Sequence, residues 1–328
     1  MINAKKSTLV IVVGLAMLAG VYLAIFAGNL EPPGPPAPTM KTLDEIETRI
    51  PIHAADLPLT ITAPGNYYLA EDITTAGGGI TVSKGLQNVS IDMKGHSLTG
   101  GTGAGINVSG TVKNGTVSGW ALHGVSAFVV IDVRSTGNTG DGIIASRECI
   151  RCIASSNGGN GIRMNGQVRV VDSTSSGNTS NGFITTGAAS VITNCTANSN
   201  GVDGFHISSG SPSMILNSVA TFNDNDGIEV SDNAYVFGNL CNGNNDVFGQ
   251  DGAGIFVIGS GNRIEGNNIR SSNRGIDVDG TGNLVIRNSV STVFGTRYDI
   301  VAGNTVGTIV TTGAAMNSAT NDLVNIEY

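Results

Sequence analysis

Charged and aromatic side chains are scarce in this chain. Only 13% of its 328 residues are charged and 5% are aromatic. So little charge argues against a helical protein, whose exposed faces use Glu, Lys and Arg freely. No basic run follows Lys5-Lys6, and the net charge is −8 with an isoelectric point near 4.9. A nucleic-acid-binding surface is therefore excluded from the expectations. Leucine is thin in the middle of the chain: between 140 and 290 only Leu216, Leu240 and Leu284 occur, too few for a leucine-rich repeat. There are four cysteines, Cys149, Cys152, Cys195 and Cys241. Cys149 and Cys152 form a C-x-x-C in the strand-like run "ECIRCIAS", where residues three apart are expected on opposite sides. No second pair or nearby His completes a metal set, so buried or free thiols are expected. Apolar material is not lacking. It makes up 40% of the chain and mean hydropathy is +0.12, so the chain can bury a core.

Thr8 to Ala27 carries no charge and follows two lysines. Twenty helical residues rising about 1.5 Å each cover roughly 30 Å, the width of a bilayer core. Residues 1–30 therefore read as a signal peptide or an uncleaved membrane anchor, and both readings stay open. Either way the rest of the chain is expected to be exported, to the cell surface, periplasm or medium, with membrane contact through this segment if it is kept. "EPPGPPAP" at 31–38 reads as a stiff linker, because proline fixes φ and donates no hydrogen bond. Residues 39–328 are expected to form the folded part.

There the dominant signal is a repeat. Asn or Asp, then Gly, then Ile or Phe recur at Gly142, Gly161, Gly182, Gly204 and Gly227, with variants at Gly254 and Gly275. The steps between these glycines are 19, 21, 22, 23, 27 and 21 residues. Between them lie short β-branched alternating runs and Gly, Asn and Ser turns, with no helical stripe. A solenoid of parallel strands follows. Stacking the motifs tests this. One position after the glycine stand Ile143, Ile162, Phe183, Phe205, Ile228, Ile255 and Ile276, and three after stand Ala145, Met164, Thr185, Ile207, Val230, Val257 and Val278. Both columns are largely apolar and are expected inside. The column between them is mixed and is expected outside: Ile144, Arg163, Ile184, His206, Glu229, Phe256 and Asp277. Rungs stack about 4.8 Å apart, so Asn138, Asn157, Asn178, Asn200 and Asn223 are expected to hydrogen-bond up the stack. "TMKTLDEIE" at 39–47 carries a capping box, Thr42 and Glu45, and is expected to be a short helix capping the open end. Residues 293–328 are less regular and are expected to close the other.

The segments "TMKTLDEIETRIPI", "APGNYYLAEDIT", "VSIDMKGHSLTG" and "VKNGTVSGW", with the glycine ladder, resemble the pectate-lyase-like superfamily of right-handed parallel β-helices. The resemblance covers roughly 39–328. It implies an all-β, single-stranded right-handed parallel β-helix. It does not fix an activity, because that superfamily holds lyases, hydrolases, epimerases, adhesins and inert fibres. The motifs that its enzymes would demand are missing: Asn-Thr-Asp, Gly-His-Gly and Arg-Ile-Lys of the polygalacturonase-like hydrolases, Trp-Ile-Asp-His of the pectate lyases, and Asp-Pro-His of the epimerases.

The densest carboxylate stretch is "NDNDGIEVSDN" at 223–233. It is no EF-hand, because Phe222 and Asn233 would fill the first and twelfth ligand positions. In the stacked frame Asp203 and Asp226 are expected on adjacent rungs, as are His206 and Glu229. These four are the candidate catalytic residues: paired carboxylates serve as acid and base, and a His shuttles protons near neutral pH. Arg163, Phe256 and Asp277, on the same column, are the candidate substrate contacts. No cofactor is expected to be required, and calcium is the ion that Asp226, Asp246 and Asp251 beside the longest loop would hold. Against this stands the plain reading of Asp and Asn before Gly as turn residues. The expectation is an exported scaffold that binds a polysaccharide or serves a structural role. A lyase or hydrolase acting on an acidic polysaccharide is the alternative. A self-associating fibre using exposed Ile144, Ile184 and Phe256 is a third class.

Overall fold

Alternating apolar side chains make each short segment a strand with one buried face, and tight corners between segments bend the chain into a coil. The corners are visible in the backbone. Arg151, Asp172, Asn194 and Asn217 sit at φ between 49° and 55°, each between the second and third strand of its rung. Asn and Asp adopt that left-handed geometry at low cost, which accounts for part of the Asn and Asp content.

The computed structural model describes residues 48–208, 210–245, 252–291, 293–311 and 323–328. The apolar run 8–27, the linker 31–38, the expected capping helix 39–47, Asp246 and Asp251 lie outside them. Among the described residues no helix is long and apolar enough to cross a membrane. Helix there is limited to a 3-10 turn, Ala54–Asp56.

Every strand pairing is parallel, over about 12 turns. A typical rung has three short strands, such as Phe205–Ile207, Met214–Leu216 and Val219–Thr221. Each pairs with its counterpart one rung on: Ile228–Val230, Tyr235–Phe237 and Leu240–Asn242. Three parallel sheets result. Arg49–Tyr328 form one compact unit.

The register confirms the stacked columns. Ile143, Ile162, Phe183, Phe205, Ile228, Ile255 and Ile276 are successive partners, and all are fully buried. Phe183 and Phe205 stack with ring centroids 4.9 Å apart. Each such side chain adds about 1.5–3 kcal/mol by leaving water. The third-strand column carries Ala154, Ser175, Ala197, Ala220 and Cys241, small residues that keep the coil narrow.

The asparagine ladder is also present, and it is longer than the motif suggested. The side-chain oxygens of Asn157, Asn178, Asn200, Asn223 and Asn244 each accept from the amide of the preceding rung's Asn at 2.8–2.9 Å. The invariant glycine follows from this packing. A Cβ at Gly204 would come within 2.6 Å of the Gly227 carbonyl oxygen and 2.7 Å of the Asn223 amide. Neither neighbour has room to move, so the column excludes side chains.

Two expectations are corrected. Cys149 and Cys152 do not face opposite sides. Both are fully buried, because the left-handed corner at Arg151 resets the alternation between them. All four cysteines are free thiols in the interior. Ile144 is not an exposed column member. It is 9% exposed, because Arg163 on the next rung reaches back to Asp141 on the Ile144 rung.

Candidate active site on the first sheet

Two columns run side by side along the first sheet. One is the outward column between the buried positions. The other is the residue before each glycine. The second column is not the solvated turn that its composition suggests. Asp141, Asn160, Asn181, Asp203 and Asp226 are between 1% and 9% exposed. They form a side-chain ladder of their own. Asp141 Oδ1 accepts the backbone N–H of Asn160 at 2.8 Å, Asn181 Oδ1 that of Asp203 at 3.0 Å, Asp203 Oδ1 that of Asp226 at 3.1 Å, and Asp226 Oδ1 that of Ala253 at 2.6 Å. A buried N–H left without such a partner would cost about 1–3 kcal/mol.

An aspartate in this ladder uses one oxygen for stacking and turns the other toward the outward column. At Asp203 that oxygen meets His206. His206 Nδ1 lies 2.9 Å from Asp203 Oδ2 and 3.0 Å from Glu229 Oε2. His206 and Glu229 are direct register partners, as expected from the repeat. Burial disfavours the imidazolium, but the hydrogen bonds it donates to Asp203 and Glu229, with the charges of both, outweigh this and push the His206 pKa up to about 10. Asp226 stands beside this cluster. Burial and the Asp203 charge push its carboxyl up to about 8. Asn225, which the sequence reading does not single out, links the two: its amide donates to Asp203 Oδ1 at 2.8 Å and to Asp226 Oδ2 at 3.2 Å. As a residue next to a glycine motif it looks like turn filler, and only the three-dimensional stack reveals its role.

Three of the four expected catalytic residues thus meet directly, and Asp226 supports them from the ladder. The other expected residues are distributed differently. Arg163 is two rungs from His206, with Ile184 between, and is ion-paired with Asp141. Phe256 is the register partner of Glu229 and is half-buried. Asp277 follows on the column but is 1% exposed and ion-paired with Arg274. Asp226 has both oxygens occupied by hydrogen bonds. A second charged cluster, unforeseen in the sequence, lies on the second sheet. Glu265 is buried there and accepts from Arg263 at 2.7 Å, Arg287 at 2.8 Å and the Tyr235 hydroxyl at 3.1 Å. Stacking the second-strand segments "YVF", "RIE" and "LVI" would have exposed it.

The fold is a right-handed parallel β-helix. Residues 118–269 match the family described as the right handed beta helix region. Among solved structures, the A-module of mannuronan C-5 epimerase AlgE4 from Azotobacter vinelandii is similar. It has a TM-score of 0.59 at 14% identity, covering 78% of this chain and 88% of that one. The A-module of AlgE6 from the same organism gives a TM-score of 0.46 at 13% identity, covering 84% and 92%. Pectate lyase Pel9A gives 0.42 at 17% identity, covering 70% of each chain. No curated protein matches the sequence.

Proposed function

We propose that this chain is an exported β-helix that binds an extended acidic polysaccharide along the outward column of its first sheet, centred on His206 and Glu229. The observation that carries the reading is the composition of that column in register. Ile184 and Phe256 flank His206 and Glu229 on successive rungs, so an apolar and an aromatic platform bracket two polar groups. Sugar rings present one apolar face and a rim of hydroxyls, and such a sequence of contacts suits them. Arg163, further along, adds a guanidinium whose five donors exceed what Asp141 accepts. Lysines before the apolar run 8–27 support export. A solenoid of similar fold, the mannuronan epimerase module, acts on a polymer of this class.

A catalytic role is the second reading, and one observation favours it. Asp203 and Glu229 are each held within hydrogen-bond reach of His206 at a partly exposed surface, the geometry of acid–base machinery. The reaction class would be lyase or hydrolase chemistry on an acidic polysaccharide.

The deciding experiment titrates the protein with alginate, polygalacturonate, hyaluronan and a neutral glucan, with calcium added and with it chelated. Chain length and unsaturated ends of each polymer are followed in parallel. Binding of at least one uronate polymer, weakened about fivefold by Phe256→Ala, is the expected result. Turnover lost in His206→Gln moves the reading to catalysis. Absence of binding to every uronate polymer overturns it.

A further inference from the structure

We propose that Asp203, His206 and Glu229 form a binding site for one divalent first-row transition-metal ion. The proposal does not depend on which polymer, if any, the face takes.

The argument starts from a shortage of protons. An imidazole Nδ1 carries at most one hydrogen, yet two carboxylate oxygens approach it, at 2.9 and 3.0 Å. One N–H serves a single carboxylate well. A cation seated among the three donors satisfies all of them at once. Asp203 Oδ2, His206 Nδ1 and Glu229 Oε2 lie within 4.8 Å of one another. Ligands about 2.1 Å from an ion and at right angles to each other are separated by about 3.0 Å. The two measured edges match that spacing.

Donor type narrows the ion. One imidazole nitrogen with two carboxylates suits zinc, manganese, iron or cobalt, whereas calcium and magnesium prefer oxygen donors throughout. Two carboxylates neutralise a divalent charge. Three protein ligands leave coordination positions on the open side, where His206 and Glu229 remain 22% and 15% exposed.

The surroundings are built in the same sense. Metal-binding carboxylates are normally oriented by further hydrogen bonds. Here the second oxygen of Asp203 is fixed by the Asn225 amide at 2.8 Å and the Asp226 N–H at 3.1 Å, which leaves Oδ2 aimed at His206. The ladder position of Asp141 supplies a contrast within the same molecule. Its other oxygen meets Arg163 and lies 3.7 Å from His123 Nδ1, which accepts the Asp141 N–H, and among the described residues no second carboxylate converges there.

The test uses the full chain, stripped with a chelator and titrated calorimetrically with Zn²⁺, Mn²⁺, Ca²⁺ and Mg²⁺ alone. One equivalent of Zn²⁺ or Mn²⁺ is expected, held at least about 100-fold more tightly than Ca²⁺ or Mg²⁺. His206→Gln and Glu229→Gln should each weaken it by about 100-fold with an unchanged circular dichroism spectrum, and His123→Ala should leave it within about threefold. Manganese electron paramagnetic resonance should show nitrogen coupling that disappears in His206→Gln. Failure of the wild-type chain to bind either transition metal overturns the proposal. So does preference for calcium, or binding that survives both glutamine variants.

Discussion

Asp141 and Asp203 occupy the same repeat position, three motifs apart, and both hold the next rung through one carboxylate oxygen. Their second oxygens meet different partners. Asp141 meets the guanidinium of Arg163, one rung on, and the charge is closed off. Asp203 meets His206 on its own rung, and Glu229 joins from the next. The backbone is the same in both places. What differs is the residue displayed on the neighbouring outward column. A structural ladder thus becomes a candidate site through two outward substitutions, and the coil need not change.

The largest effect is expected where ladder and cluster coincide. Asp203→Ala strands the Asp226 N–H, the Asn225 amide and a paired His206 together, and should cost about 2–4 kcal/mol in urea unfolding. Asp203→Asn keeps the stacking that Asn160 and Asn181 already perform. It should cost about 1 kcal/mol or less while removing the charge opposite His206.

A smaller effect should separate the two regions by pH. Asp226 is held up to about 8 from an ordinary 3.8 by burial and by the Asp203 charge. Its folded pKa exceeds its unfolded value, so the fold prefers the neutral acid. The stability it contributes is complete below about pH 4 and is lost as the pH rises toward 8, by at most about 1.4 kcal/mol per unit. Thermal midpoints should therefore fall across that window, and Asp226→Asn should flatten the fall. An unchanged slope in the variant would show that Asp226 is not the group responsible.

Phe256→Ala alone should weaken binding of a uronate polymer by about fivefold, read by calorimetry, with little change in stability. The smallest change is expected at the other end. Asp141→Asn preserves the ladder and frees Arg163, so stability should stay within about 1 kcal/mol and affinity for an acidic polymer should rise by up to about twofold. A large loss of binding in Asp141→Asn would erase the distinction between the two rungs.

Much of this was legible in advance. The glycine spacing gave the rungs, the alternation gave the inside columns, and their register placed His206 over Glu229. The turn aspect of Asp203 and Asp226 was misread, because Asp and Asn before Gly are common in exposed turns as well as in buried ladders. Burial depends on the rung above, which no local window contains. The Cys149–Cys152 prediction failed for a related reason: period-two alternation is interrupted by a left-handed corner at an arginine, a residue that gives no local sign of it.

The sequence by itself determined the coil, because period, glycine column and apolar alternation are properties of one strand repeated. Only the tertiary structure decided which charges are neutralised and which converge. That choice rests on distances of about 3 Å between side chains more than twenty residues apart, set by how each rung settles on the last.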